Sequence, residues 1–398
     1  MGAPAVAISI PTTGLTDEER LLQQTVRDFA RREVAPGAAE RDEEERYDRS
    51  LFTRLGELGL TSVPFPSEVG GAGFSYRAWT LVMEEIAYAD MALAISLSVH
   101  ILSQYPVIAW GTDEQKSRWL PDMLTGKKIG AFALTEPQAG SDASALKLRA
   151  VRKGTASSPI SYALTGTKIW ITNSAEAECF LVFASTDPAM AARGISAFLV
   201  DRDTPGFTLG ARERKMGIRS DPTGELIFEN AEVPAENRLG AEGLGYKIAL
   251  SALSEGRISI AAACVGVAQA ALDAAAKYLT ERKQFGQPLS EQQGLRFMLA
   301  EMAQKVAAAR ALTRAAAEAK DRGEPIAEAS SLAKWTASDA AMSVTTDAVQ
   351  LFGGNGYSRE FPVERYMRDA KGAQIYEGTN QIHRLIVADH VLKRVTMG

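Results

Sequence analysis

The pattern of turn residues in the middle of the chain restricts the fold more than any other feature of its 398 residues. From about Gly130 to Gly240, short runs rich in β-branched and aromatic residues alternate with turns that contain Gly or Pro, and no helical pattern lies between them. These runs are residues 162–173, 179–186, 195–201, 207–212 and 225–233. Strands at this spacing predict an antiparallel sandwich or barrel, because a doubly wound sheet would need helices between its strands.

Helical patterns flank this segment on both sides. Before it, Thr16 with Glu19 and Thr112 with Gln115 have the spacing of helix caps, and residues 51–58 and 76–89 have amphipathic spacing. After it, apolar residues recur at helical spacing and no proline occurs between Pro234 and Pro288. Four long helices are predicted there, at about 245–282, from a cap at Ser290 and Gln293 to 322, from Pro325 to Gly353 and Gly354, and after Thr379.

We therefore expect an α+β fold that is mainly α and has three domains. They are an N-terminal helical domain at 1–128, a central antiparallel β-barrel or sandwich domain at 129–240, and a C-terminal four-helix bundle at 241–398. The alanine-rich faces of the predicted bundle allow close helix packing, and its many apolar positions predict faces that are buried against other subunits.

Composition excludes several classes of protein. The net charge of −5 disfavours a protein that binds the nucleic-acid backbone, which would carry a basic surplus. The two cysteines, Cys179 and Cys264, are far apart and form no Cys-x-x-Cys pair. No membrane-spanning segment is predicted, and the first residues fit neither a signal peptide nor a transit peptide. A reduced, cytoplasmic protein is the expectation.

Residues that would catalyse the commonest reactions are also missing. There is no Gly-x-Ser-x-Gly elbow, no phosphate-binding Gly-x-x-x-x-Gly-Lys loop and no Gly-x-Gly-x-x-Gly after a strand. His100, His383 and His390 are the only histidines, and no paired carboxylates accompany them, so no metal site is predicted. We expect His383 and His390 to be solvated or to cap a C-terminal helix.

Two unusual segments belong to the predicted β domain. In residues 132–142, Thr135, Gly140 and Ser141 fit either a loop whose N–H groups converge on a polar ligand, or a simple strand-to-turn corner. In residues 168–173, strand alternation places Trp170 and Thr172 on one face and the two isoleucines on the other. That face suits the edge of a flat heterocycle, and equally a core tryptophan at the rim of a sheet.

A third segment covers residues 376–384. Thr379 is placed to cap the helix that follows, and Gly378 permits a close approach of another group to the backbone. Glu377 lies just before the helix start, where a carboxylate either favours the helix dipole or acts as a general base with a pKa raised by burial. Sequence periodicity leaves both interpretations open.

Five motifs occur in the order and spacing of one known family. They are Leu-Thr-Glu-Pro-Gln-Ala-Gly-Ser-Asp at 134–142, Gly-Thr-Lys-Ile-Trp-Ile-Thr-Asn at 166–173, Arg-Lys-Gln-Phe-Gly at 282–286, Gln-Leu-Phe-Gly-Gly at 350–354 before Gly356 and Tyr357, and Tyr-Glu-Gly-Thr-Asn at 376–380. With them the chain resembles the acyl-CoA dehydrogenase family from Leu15 to the C-terminus. The resemblance implies the same three domains, one FAD per subunit and a homotetramer.

The resemblance also implies which residues bind the flavin. Those that would line it within one subunit are Phe132, Leu134, Thr135, Gly140, Ser141, Trp170, Ile171, Thr172, Thr379, Asn380 and Gln381, with Trp170, Ile171 and Thr172 beside the isoalloxazine ring. Arg282, Gln293, Gln350, Gly353 and Gly354 would reach the flavin of a neighbouring subunit, and Phe285 belongs to the same cofactor-binding set.

For the substrate, the resemblance implies contacts from Ser141, Glu255, Arg257, Tyr376 and Gly378. Glu377 falls on the catalytic-base position of the straight-chain members. Some relatives carry the base directly before the arginine that matches Arg257, but this chain has Gly256 there. Glu255 lies one position further back, about 100° around a helix, and is not expected to be the base.

The implied reaction is the α,β-dehydrogenation of an acyl-CoA thioester to the trans-2-enoyl-CoA, as in fatty acid β-oxidation. Glu377 would abstract the α-proton, hydride would pass from the β-carbon to flavin N5, and an electron-transfer flavoprotein would accept the electrons. The sequence leaves two alternatives: an acyl-CoA oxidase that uses O2, and a flavin-carrying DNA-binding relative. The last 30 residues contain no dense basic patch, which disfavours the second.

Overall fold

The structure is a computed structural model that describes residues 14–154 and 160–397. The prediction about the first residues of the chain lies outside this part. Six helices come first: α1 Asp17–Phe29, α2 Ala38–Glu43, α3 Arg49–Glu57, α4 Tyr76–Ala89, α5 Met91–Trp110 and α6 Asp113–Leu124. Both predicted caps are confirmed, since the hydroxyls of Thr16 and Thr112 accept hydrogen bonds from the N–H groups of Glu19 and Gln115.

A single eight-stranded sheet follows. Its strands are β1 Gly130–Ala133, β2 Arg149–Lys153, β3 Ser161–Ile171, β4 Cys179–Ser185, β5 Ile195–Asp201, β6 Phe207–Arg212, β7 Gly224–Pro234 and β8 Arg238–Leu239, in the order β6-β7-β3-β2-β4-β5-β8 with β1 also paired to β4. Most pairs are antiparallel, as predicted, but β1 and β2 both run parallel to β4. The chain leaves the sheet after β1 and returns to the same side of β4 at β2, so residues 134–148 form an excursion from the sheet.

The C-terminal part is helical. It contains α7 Gly245–Glu281, a small hairpin of β9 Lys283–Gln284 and β10 Gln287–Pro288, then α8 Gln293–Asp321, α9 Ala327–Phe352, α10 Val363–Ala373 and α11 Asn380–Met397. The four predicted long helices are present, and α10 is an additional one. Ser290 does not cap α8, because it lies in a separate turn at Leu289–Glu291 and the N-cap position is occupied by Gln292.

Helix α7 is the central packing element, in contact with α4, α5, α8 and α9. Most of its residues after Glu255 are buried on every side. At Gly266 it approaches α4 so closely that a Cβ there would lie 2.2 Å from the carbonyl oxygen of Glu84. This helix therefore joins the N-terminal helices to the bundle, and it carries Gly256 and Arg257 in its N-terminal half.

Two helices, Met91–Trp110 and Gly245–Glu281, are long and apolar enough to cross a membrane by length and composition alone. In both helices 89% of the most apolar window is buried inside the protein, which is the pattern of core helices.

Candidate active site

A tight turn between α10 and α11 presents Glu377. The φ angle is 54° at Glu377 and 93° at Gly378, so two successive residues have left-handed backbone. For a glutamate this conformation costs on the order of 1–2 kcal/mol, and the surrounding contacts must offset that cost. The turn directs the side chain to α7, where a Cβ on Gly256 would lie 2.6 Å from Oε2 of Glu377. The carboxylate thus occupies the space that the glycine leaves.

Both carboxylate oxygens of Glu377 are shielded from solvent and lack a hydrogen-bond partner. Burial raises the pKa of Glu377 to about 7, while the positive charges of Arg257 and Lys334 act in the opposite direction. A carboxylate with this pKa can accept a proton near neutral pH far better than an exposed glutamate can. The burial interpretation of Glu377 is therefore favoured over a simple interaction with the helix dipole.

Other polar groups without partners surround the same turn. Within the described residues, ten buried side-chain N and O atoms lack a hydrogen-bond partner, and six of them belong to Arg257, Tyr376, Glu377 and His383. Buried polar atoms in folded proteins are nearly always satisfied, so this concentration indicates the position of a polar ligand. Arg257 contributes its Nε, while its Nη1 lies 3.4 Å from the Ser331 hydroxyl.

His383 does not lie where the sequence placed it. Its side chain is fully buried, because this face of α11 packs on α9, and a Cβ on Gly378 would lie 3.3 Å from the ring. Burial, with added repulsion from Lys334 and Arg257, lowers the pKa of His383 to about 3, so the ring is neutral. His390 is different: its Nδ1 lies 2.8 Å from the carbonyl of Ile386. In the described residues, no group of three or more His, Cys, Asp or Glu side chains is arranged to hold a metal ion.

Lys334 and Asn380 support the turn from α9. The ammonium group of Lys334 donates to the carbonyl of Gly378 at 2.7 Å and to Oδ1 of Asn380 at 3.2 Å. The Asn380 amide also donates to Ser338 and Asp339. Asn380 was predicted to contact the flavin, but its side chain is committed to these protein groups. Sequence reasoning missed Lys334, whose only signal is a lysine in an otherwise small and apolar stretch of helix.

The excursion at 134–148 is held by a buried ion pair. Nζ of Lys168 lies 2.7 Å from Glu136, and both side chains are almost completely buried. Glu136 also accepts from the N–H groups of Lys147 and Leu148, at 2.6 and 3.0 Å. Lys168 and Glu136 come from the two motifs of the β domain, so these motifs are physically one unit. Both residues lie within the two sequence motifs, but their spacing along the chain does not predict that they pair.

The residues of this unit that are predicted to contact the flavin differ in their exposure to solvent. Leu134 is buried, Phe132 and Thr135 are half-buried, and Gly140 and Ser141 are exposed. Trp170 has a φ of 59° and its side chain is 54% exposed, so it is not a core tryptophan. A shift in the pairing of β3 with β7 lies between Lys168 and Ile171, so simple strand alternation does not apply at Trp170. Of the two residues that follow, Ile171 is buried and Thr172 is half-buried.

The remaining predicted flavin residues lie elsewhere. Thr379 caps α11, its hydroxyl accepting from Ile382 N–H at 3.4 Å, and Gln381 is exposed. The residues predicted to serve a neighbouring subunit lie around the ends of α7 and α9, where Tyr278 stacks on Phe352 with a centroid distance of 4.1 Å. All of them are exposed: Arg282, Phe285, Gln293, Gln350, Gly353 and Gly354.

Glu255 lies near the site but faces other protein groups. Its carboxylate forms an ion pair with Lys320, and its carbonyl accepts from the hydroxyl of Tyr76 at 3.0 Å. Burial raises the pKa of Glu255, and the charge of Lys320 opposes this effect. The prediction that Glu255 is not the base agrees with this placement, whereas nothing in its contacts directs it to a substrate.

Comparisons with known proteins identify the family to which this chain belongs. Residues 16–127, 131–231 and 243–392 match the descriptions "Acyl-CoA dehydrogenase, N-terminal domain", "middle domain" and "C-terminal domain". The chain is 45% identical over 380 residues to the short-chain specific acyl-CoA dehydrogenase of Rattus norvegicus mitochondria, covering 95% of this chain and 91% of the relative. The chain therefore belongs to the acyl-CoA dehydrogenase family.

Solved structures agree. Butyryl-CoA dehydrogenase from Megasphaera elsdenii superposes with a TM-score of 0.92 and 43% identity, covering 95% of this chain and 99% of that one. A structure described as the electron transferring flavoprotein of Acidaminococcus fermentans, from work on flavin-based electron bifurcation, includes a chain with a TM-score of 0.93 and 46% identity, covering 96% and 99%. The protein is thus an oxidoreductase of the kind that acts on the CH–CH bond of acyl-CoA.

Proposed function

We propose that the protein catalyses FAD-dependent α,β-dehydrogenation of short acyl-CoA thioesters to trans-2-enoyl-CoA, with Glu377 as the base. The observation that carries this proposal is the buried, unpartnered carboxylate of Glu377, with a pKa of about 7, in the space beside Gly256. A bound thioester whose α-carbon lies against this carboxylate would lose its α-proton to it. Burial supplies the proton affinity that a weakly acidic C–H group requires.

Other groups around the turn would orient the thioester. The N–H groups at the left-handed Glu377–Gly378 turn would polarise a carbonyl bound beside the base, as fixed dipoles do in oxyanion holes. Arg257 is buried with one nitrogen unpartnered and would position the substrate without exchanging a proton. Tyr376 has an unpartnered hydroxyl and would line the same space.

The residues present fit a flavin. The exposed indole of Trp170, the exposed Gly140 and Ser141, and the half-buried Thr172 are groups that suit a flat, polar heterocycle and its phosphates. Phe132, Leu134, Thr135, Ile171, Thr379 and Gln381 complete the proposed set, whereas Asn380 would act through its backbone. When bound, FAD would accept the hydride from the β-carbon.

A second subunit would complete the cofactor site. Arg282 follows Arg257 by 25 positions along one continuous helix, which corresponds to about 37 Å at 1.5 Å per residue. Arg282 therefore lies far from the Glu377 turn of its own chain. We propose that it serves a neighbouring subunit, with Phe285, Gln293, Gln350, Gly353 and Gly354. The exposed aromatic side chains of Phe285 and Tyr357, at 95% and 91%, support burial in a homotetramer.

The substrate and the electron acceptor are proposed from the relatives. The likeness to a butyryl-CoA dehydrogenase and to a short-chain specific enzyme favours short, straight acyl chains. The likeness to a chain in an electron transferring flavoprotein structure favours such a protein as the acceptor. Measuring peroxide during turnover in air discriminates a dehydrogenase from the oxidase alternative. An oxidase would release one peroxide for each enoyl-CoA formed. The cytoplasmic location stays a prediction.

The substitution Glu377→Gln tests the base. We expect a folded holoenzyme that binds butyryl-CoA, with flavin reduction slowed by at least 10³-fold, because the amide cannot accept the α-proton. Stopped-flow bleaching of the flavin by butyryl-CoA measures this step directly. The matched control is Glu360→Gln, in an exposed loop before α10, which should reduce at the wild-type rate. Near-normal bleaching of the Glu377→Gln protein would show that another group is the base.

A further inference from the structure

Lys334 is a buried cation beneath the catalytic turn. Its side chain is completely buried on α9, and within the described residues no carboxylate lies within 4 Å of its ammonium group. Burial lowers the pKa of Lys334 to about 8. An unpaired buried ammonium group is costly unless other polar atoms compensate for its lost hydration. Because burying the Lys334 ammonium group is costly, we expect Lys334 to have a specific role.

The partners of Lys334 belong to the turn itself. Nζ donates to the carbonyl of Gly378 at 2.7 Å and to the side chain of Asn380 at 3.2 Å. One ammonium group thus holds the turn just after Glu377 and again where α11 begins. The left-handed conformation of Glu377 needs such support, because a residue with a Cβ adopts it only at a cost, whereas Gly378 adopts it readily.

Lys334 also acts on Glu377 through its charge. Besides Lys334, the titratable groups around Glu377 are Arg257 from α7, Tyr76 from α4, Tyr376 of the same turn, His383 from α11, and, near Lys334, Cys264 and Asp339. Burial keeps the tyrosine hydroxyls and the Cys264 thiol protonated, and His383 is neutral. Asp339 is bound to Asn380 and Trp335. Arg257 and Lys334 are therefore the two cations that favour the ionised carboxylate.

We propose that Lys334 is a positioning residue for the base: its ammonium group fixes the Glu377–Gly378 turn and supplies positive charge that keeps the Glu377 carboxylate ionised. The inference rests on the proposed function, because it assigns Lys334 a role through Glu377. Removing the charge leaves Arg257 as the only cation opposing burial, so the Glu377 pKa should rise. A rise of about one pH unit is the size expected for one nearby opposite charge.

Two neutral substitutions separate the effects of the hydrogen bond and the charge. Lys334→Met removes both, whereas Lys334→Gln keeps an amide that can donate to the Gly378 carbonyl. The matched control is Lys305→Met on α8, since Lys305 also binds a serine of α9, Ser343, but lies outside the site. All variants are measured as holoenzymes with equal flavin content.

Two readouts are required. The first is the pH dependence of flavin reduction by butyryl-CoA, and the second is the infrared carboxyl band that disappears in Glu377→Gln, followed against pH without substrate. We expect both midpoints to rise by about one pH unit in the Met and Gln variants. At pH 7 the reduction rate should fall about fivefold in Lys334→Gln, because the ionised fraction of Glu377 falls by that factor, and further in Lys334→Met. Lys305→Met should match the wild type.

An unchanged infrared midpoint in folded Lys334→Gln would overturn the inference. If neither neutral variant folds while Lys334→Arg does, Lys334 serves folding alone, and the inference is also overturned. These results are distinct from a failure of the proposed function, which would appear as normal flavin reduction in Glu377→Gln whatever the Lys334 variants do.

Discussion

At the scale of single residues, the site depends on a glycine, Gly256, that faces a much larger residue, Glu377. Gly256 has no Cβ, and the carboxylate of Glu377 takes up the space beside it. A Cβ on residue 256 would lie 2.6 Å from Oε2 of Glu377. The sequence could relate these two residues only through the family resemblance, because they are 121 positions apart. Their direct contact, and the left-handed φ of Glu377, appear only in the folded chain.

The substitution Gly256→Ala should therefore separate stability from activity. Alanine favours the helix by up to about 1 kcal/mol over glycine, so the melting temperature should not fall. The new methyl group would displace the Glu377 carboxylate, and flavin reduction by butyryl-CoA should slow at least tenfold. The double variant Gly256→Ala with Glu377→Asp tests whether steric overlap causes the slower reduction, because the shorter aspartate leaves room for the new methyl group. Wild-type reduction kinetics in Gly256→Ala would contradict the contact.

At the scale of elements, local chemistry predicted the helices and strands that have clear patterns. Helices α1, α4 and α6 begin at the predicted caps or positions, and strands β5 and β6 have the predicted bounds. Helix α5 was not predicted as a separate element, because it is buried on nearly every side and has no polar face to mark its period. Strand β2 was not predicted either, because it is charged and mostly exposed and so lacks the alternation of apolar and polar residues that marks a strand.

The contact of α4 with α7 provides a test at this scale. A Cβ on Gly266 would lie 2.2 Å from the Glu84 carbonyl oxygen and 3.0 Å from the Tyr88 nitrogen, both rigid backbone atoms. We expect Gly266→Ala to lower the free energy of unfolding by about 3 kcal/mol, because the two helices must separate. Urea denaturation measures it. The control is Gly294→Ala on α8, where a Cβ would lie more than 4 Å from any described atom outside its own stretch of helix, so the change should be neutral or slightly stabilising.

At the scale of the whole molecule, one chain leaves apolar surface uncovered. On α11 the side chains of Leu385, Leu392 and Val395 are 61%, 63% and 77% exposed, and they lie on one helical face. Residues predicted to reach a neighbouring flavin are also exposed, at the ends of α7 and α9. Both features support the proposed homotetramer, whereas the boundaries at 128 and 240 stay predictions.

The paired substitution Leu392→Glu with Val395→Glu tests this surface. If α11 is buried between subunits, two buried carboxylates should prevent that contact, and sedimentation velocity should show a species smaller than the tetramer. Lys393→Glu, between them in sequence, changes the charge without altering the apolar face and should leave the mass unchanged. A wild-type sedimentation coefficient in the paired variant would exclude α11 from any subunit contact.

The sequence by itself determined the three-part order of helices, strands and helices, the caps, and the segments that carry the site. These depend on neighbours within a few positions, where spacing and side-chain chemistry act directly. Only the tertiary structure decided that Glu136 pairs with Lys168, that Lys334 supports the turn, and that His383 is buried. Those properties depend on which distant residues exclude water from a group, and water exclusion is set by the packing of the whole chain.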